Sequence, residues 1–112
     1  MTFEDGFTLT AEIIGGCILH TRNQGRASDA GVRRAFDFTD GLIEEHFADR
    51  PFVHILDYTR LGGTTLEGRR SFIKRMLQRR RLQGVVFYGL SPMLRMSTKL
   101  GIRLRMIPFD VH

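Results

Sequence analysis

Two short apolar runs, Phe52-Val53-His54-Ile55-Leu56 and Val85-Val86-Phe87-Tyr88, stand one helix-length of chain apart, and this spacing constrains the fold more than any other feature of the sequence. A run that is apolar at successive positions, rather than alternating, marks a strand covered on both faces, as in a parallel sheet. Parallel neighbours need a long crossover, usually a helix. Here Leu66, Phe72, Ile73, Met76 and Leu77 recur at helical spacing as a buried stripe, with Arg70, Lys74, Arg75, Arg79 and Arg81 off it. The segment therefore reads as a β-α-β unit. Between its first strand and its helix lie Asp57-Tyr58-Thr59, a glycine turn at Leu61-Gly62-Gly63, and Thr64-Thr65. That connection is expected to be a loop at the strand's carboxyl end, where open α/β sheets place their working surfaces.

The flanks extend the pattern. Phe7, Leu9, Ala11 and Ile13 alternate with Thr8, Thr10 and Glu12, which predicts a strand with one wet face. Gly15-Gly16 is a two-residue hairpin signal. Cys17, Leu19 and Thr21 then alternate with Ile18, His20 and Arg22 in the return strand, which Asn23-Gln24-Gly25 is expected to end. Ser28 or Asp29 can cap a first helix carrying Val32, Ala35, Phe36, Thr39, Leu42, Ile43, His46 and Phe47 on one stripe. Gly41 weakens that helix, and close packing on the sheet would account for it. Asp49-Arg50-Pro51 stops it. After the second apolar run, Gly89-Leu90-Ser91-Pro92 opens a third helix with Ser91 as N-cap and Pro92 as N1, ended by Gly101. Ile102, Leu104 and Met106 face inward in a final strand. The predicted order is β-β-α-β-α-β-α-β: one α/β domain with a mixed, mostly parallel sheet.

A chain of 112 residues holds one such domain, since a smaller piece could not bury a core. No apolar run reaches the roughly 20 residues that span a bilayer, and the amino terminus lacks the basic and apolar regions of a signal peptide. Cys17 has no internal disulfide partner. These features point to the cytoplasm. The net charge of +5 conceals an asymmetry. Residues 1–59 hold five basic and ten acidic side chains, whereas residues 60–112 hold twelve basic and two acidic, balances of −5 and +10. A basic side around the second helix follows, favouring acidic partners.

The order and two segments resemble the STAS domain, the fold of anti-sigma-factor antagonists and of sulfate-transporter tails. Ile55-Leu56-Asp57-Tyr58-Thr59-Arg60-Leu61 resembles the strand end ahead of that family's regulatory loop. Phe87-Tyr88-Gly89-Leu90-Ser91-Pro92-Met93-Leu94-Arg95, with Leu100-Gly101-Ile102 and Ile107-Pro108, resembles its later strand, helix start, helix stop and final strand. The resemblance implies a non-catalytic regulatory module that docks a protein partner or an adjacent signalling domain, kinase-like or another output module. The chain would then be a piece of a longer signalling protein, and a homodimer is compatible. The chain departs from the family at the loop. The antagonists carry an Asp before a phosphorylatable Ser or Thr, whereas this chain reads Gly62-Gly63-Thr64-Thr65-Leu66-Glu67-Gly68.

Thr64 and Thr65 are the sharpest site candidates. Phosphate there would meet a helix N-terminus near Arg69 and Arg70. The preferred reading is a helix cap, because Thr64-Thr65-Leu66-Glu67 has the S/T-x-x-E form of a capping box. The expected working surface is residues 59–68 with residues 89–93 beside them, and it includes Asp57, Thr59, Gly62, Gly63, Arg69, Arg70 and Ser91. Asp57 is expected to accept N–H groups of the following loop. The arginines of the second helix read as a solvated face, and nucleic acid is disfavoured because no aromatic residues interleave with them. Cys17 reads as a buried inert thiol, and His46 and His54 as packed side chains. The four histidines have no metal-ligand spacing, Gly62-Gly63 lacks the P-loop lysine, and no nucleophile triad is visible. No cofactor is implied. A small-molecule sensor at the carboxyl-end loops is the second functional reading.

Overall fold

The structure, a computed structural model, describes residues 6–89 and 110–111. The elements are β1 (Thr8–Ile14), β2 (Ile18–Ala27), α1 (Asp29–His46), β3 (Phe52–Thr64), α2 (Leu66–Leu77), β4 (Leu82–Tyr88) and β5 (Asp110–Val111). They form one sheet in the order β1-β2-β3-β4-β5. β1 and β2 are antiparallel, and every later pairing is parallel. The third helix and the strand expected over residues 92–106 lie outside the described residues.

The hairpin turn follows its glycines. Gly15 and Gly16 take φ of +60° and +71°, conformations an L side chain resists, and the Cys17 N–H donates to the Ile14 carbonyl. The antiparallel ladder begins one residue later, with Ile14 opposite Ile18, so Cys17 sits in the connection. It is exposed, not buried as expected. β2 also does not end at Asn23-Gln24-Gly25 but continues to Ala27.

Because the strand order steps steadily in one direction, right-handed crossovers place α1 and α2 on the same face. The main core forms there: Val32, Ala35 and Phe36 of α1 and Met76 of α2 pack on Phe7, Leu9, Ala27, Leu56, Val85 and Phe87. Leu19, Phe47 and Phe52 close a second cluster at the other end, with the Phe47 and Phe52 rings stacked 5.0 Å apart. The central strands were expected to be covered on both faces. Among the described residues they are covered by helices on one face only, and Ile18, Val53, Ile55 and Val86 on the other face are half-buried.

Both helix stripes are narrower than their spacing implies. In α2, Met76 and Gly68 are buried, whereas Leu66 and Leu77 are 49% and 54% exposed. In α1, His46 is exposed, and Gly41 faces open space, with nothing within 4 Å of an added Cβ. Gly41 therefore has no packing reason for being glycine.

Candidate functional site

The largest departure from expectation is at residues 57–64. The expected glycine-turn loop is strand: β3 runs 13 residues to Thr64 and stays paired with β2 through Gln24↔Arg60, Gly25↔Leu61, Arg26↔Gly63 and Ala27↔Thr64. Two register irregularities, after Arg22 and after Gly25, each place an extra residue in β3. The first has an identifiable cause. Asp57 Oδ1 accepts from the Thr59 N–H at 2.9 Å and from the Thr59 hydroxyl at 2.6 Å. A side chain satisfies a donor that the ladder would otherwise need, so the strand can bulge without losing a hydrogen bond.

Asp57 is a buried hub, its side chain 9% exposed. Its Oδ2 accepts from Arg22 Nε at 3.2 Å, and the Tyr88 hydroxyl also bonds to it. His20 Nε2 lies 2.9 Å from that hydroxyl. Burial alone would raise the Asp57 pKa, but the donors from Thr59, Tyr88 and Arg22 outweigh it and hold the group at about 2. A carboxylate so saturated with donors is a structural acceptor and a poor proton carrier. Gly89 leaves β4 with φ +74°, and an added Cβ would lie 2.7 Å from the Thr59 nitrogen. Glycine is what lets β4 exit so close to β3.

The start of α2 is fastened to the same end of the sheet. Its N-cap is Thr65, whose Oγ1 accepts from the Gly68 N–H at 3.0 Å. Thr64 is the last residue of β3, so the expected capping box from Thr64 to Glu67 does not form. The Thr65 N–H donates to the Ala27 carbonyl at 3.1 Å, and an added Cβ on Gly68 would come within 2.8 Å of that carbonyl. Ser28 caps α1 by accepting from Gly31 N–H, and Ser71 donates to Asp29, which draws the Asp29 pKa down. Both helices thus begin side by side at the carboxyl edge of the sheet. Leu66 projects from the first turn of α2, half-exposed beside exposed Arg70 and half-buried Arg69.

The arginines of α2 and of the turn that follows it are not a uniform solvated face. Arg75 bonds Asp37 and Asp40 of α1 at 2.8 and 3.0 Å. Arg79 is almost fully buried, its side chain 6% exposed. It donates to Asp40 at 2.9 Å and Thr39 Oγ1 at 2.7 Å, and its guanidinium lies 4.5 Å from the Phe36 ring centroid. It also lies 3.0 Å from His54 Nδ1. Arginine cannot accept, so Nδ1 is the acceptor and Nε2 carries the proton, donated to Thr21 Oγ1 at 2.8 Å. Burial, then the Arg79 charge, holds the His54 pKa well below its usual value, so the imidazole is neutral. Sequence reasoning placed His54 in a packed strand but missed Arg79. The available signal was that His54 and Thr39 occupy core stripes and therefore need a buried polar partner.

Asp57, Thr59, Gly62, Gly63, Thr64, Thr65, Arg69 and Arg70 therefore share one edge of the molecule, on a paired strand and helix start rather than a loop. Ser91 lies outside the described residues. Among the described residues, no cluster of three His, Cys, Asp or Glu could hold a metal, and no helix is long and apolar enough to cross a membrane.

Comparison with known proteins locates the fold. A DUF3478-family protein from Shewanella loihica PV-4, described as having a SpoIIAA-like fold, aligns with a TM-score of 0.67 at 15% identity, covering 100% of this chain and 89% of the other. The anti-sigma factor antagonist SpoIIAA in its unphosphorylated form aligns with a TM-score of 0.60 at 16% identity, covering 89% of this chain and 100% of the other. No family profile matches the sequence, and no curated protein matches it significantly. The chain has a SpoIIAA-like, STAS-like fold.

Proposed function

We propose that this domain is a non-catalytic regulatory module that docks a protein partner, or a neighbouring domain of its own polypeptide, through the first turn of α2 and the adjoining end of β3. The fold it shares with an anti-sigma factor antagonist supports a regulatory role. The observation that carries the choice of surface is Leu66, an apolar side chain 49% exposed at the start of a helix. Thr65 lies beside it and exposed Arg70 one turn further on. An exposed apolar residue rimmed by polar and charged side chains is the composition of many protein interaction sites. The rim selects for an acidic partner.

Thr65 is the residue through which such docking could be switched. Its hydroxyl is already engaged as the helix cap, so phosphorylation would replace a neutral acceptor by a dianion at the positive end of α2.

The test is affinity purification from the protein's own cells with matched variants. A specific partner should be retained by wild type and by Leu77→Asp, which alters an exposed apolar residue at the far end of α2. It should be lost from Leu66→Asp and weakened by Arg70→Glu. A partner retained equally by all four proteins would refute this surface.

A further inference from the structure

We infer that the sheet face opposite α1 and α2 is a second docking surface, for an acidic amphipathic segment of a partner protein. This inference is independent of the α2 surface. Strand alternation and register order the face into rows. Ile14, Ile18 and Val53 lie side by side, then Glu12, His20, Ile55 and Val86, then Thr10, Arg22, Asp57 and Tyr88, then Gln24 beside Arg60, and last Arg26 beside Gly63. One end is thus aliphatic and the other basic. Ile14 is 41% exposed, and Ile18, Val53, Ile55 and Val86 are half-buried.

At the basic end, Arg22, Arg26 and Arg60 are exposed. Asp57, the acid among them, forms an ion pair with Arg22 at 3.2 Å, which leaves Arg26 and Arg60 as the uncompensated charges. Among the described residues, the side chain of neither Arg26 nor Arg60 makes an ion pair or hydrogen bond. Rigid strands hold these charges, since residues 60–64 pair with β2 instead of forming a loop. Charge complementarity therefore calls for carboxylates above Arg26 and Arg60, and the aliphatic side chains call for an apolar side on the same ligand. An amphipathic segment meets both requirements. Along β2 the face extends from Ile18 to Arg26, which matches a helix of roughly 18 residues. Nucleic acid fits less well. The two rings on this face, His20 and Tyr88, stack on each other at 6.1 Å, and five aliphatic side chains share the surface.

The experiment is selection from a displayed library of random peptides, each about 18 residues long, on wild-type protein. Selected peptides are then titrated against Arg26→Glu/Arg60→Glu and against Arg70→Glu/Arg80→Glu, which has the same net charge but alters the helix side. Circular dichroism confirms folding, and the substituted arginines are exposed. The expected result is enrichment of acidic amphipathic sequences whose binding is weakened about tenfold or more by Arg26→Glu/Arg60→Glu and unchanged by Arg70→Glu/Arg80→Glu. No enrichment, enrichment without acidic bias, or equal binding to all three proteins would overturn the inference. So would tight, salt-dependent binding of oligo-dT that displaces the peptides, which would assign the face to nucleic acid. Peptides sensitive only to Arg70→Glu/Arg80→Glu would likewise overturn it and favour the α2 surface.

Discussion

Two buried polar residues organise this molecule, and each makes a measurable prediction. Asp57 binds Thr59, Tyr88 and Arg22, and its pKa falls from 3.8 to about 2. A folded-state pKa below the unfolded one means the carboxylate stabilises the fold fully above pH 3.8, and this stability is lost as pH falls through about 2. Asp57→Asn should therefore cost about 2 kcal/mol at neutral pH and flatten the acid limb of the stability curve below pH 4. Urea titrations at several pH values read both effects. Arg79 is the second such residue. Arg79→Met keeps an aliphatic stem but removes the guanidinium from the Phe36 ring and strips partners from His54, Thr39 and Asp40. The expected loss is about 2–4 kcal/mol by chemical denaturation, because buried polar groups would be left unpaired. A loss within about 0.5 kcal/mol would mean that Arg79 behaves as a surface residue.

At the scale of elements, two helix glycines that look alike in sequence have opposite roles. Gly41 faces open space, so Gly41→Ala should stabilise the protein by up to about 1 kcal/mol through helix propensity alone. Gly68 packs against the end of β2, where a Cβ would approach the Ala27 carbonyl to 2.8 Å. Gly68→Ala should destabilise by about 1–3 kcal/mol, and thermal melts of the two variants should move in opposite directions. Periodicity located both helices, the hairpin and the paired apolar strands, because each is a local pattern. It could not separate these glycines, because their difference lies in what the far chain brings near. The same limit explains the arginines in and just after α2. Arg75 and Arg79 share the helical spacing of exposed charges, yet α1 supplies Asp37, Asp40 and Thr39 opposite them.

For the whole molecule, the candidate site was legible in position but not in form. Asp57, Thr59, Thr65 and Arg70 do gather at the carboxyl edge of the sheet, as the strand–helix order requires. Residues 60–64 read as a turn because Gly62-Gly63 sits at their centre, followed by Thr64. They form strand because β2 also runs on to Ala27 and offers a partner, which no local signal announces. Gly62 and Gly63 tolerate the bulged pairing, and the Asp57–Thr59 bonds absorb its first irregularity. Both docking surfaces depend on this extension, since it carries Arg60 on one face and leads directly into Thr65 and Leu66. The most direct test is hydrogen–deuterium exchange on the isolated protein, followed in peptides covering residues 59–65. Protection comparable to the paired half of β3, residues 52–57, is expected. Exchange as fast as that of an unpaired loop would contradict the extension and remove the rigid base on which both surfaces stand.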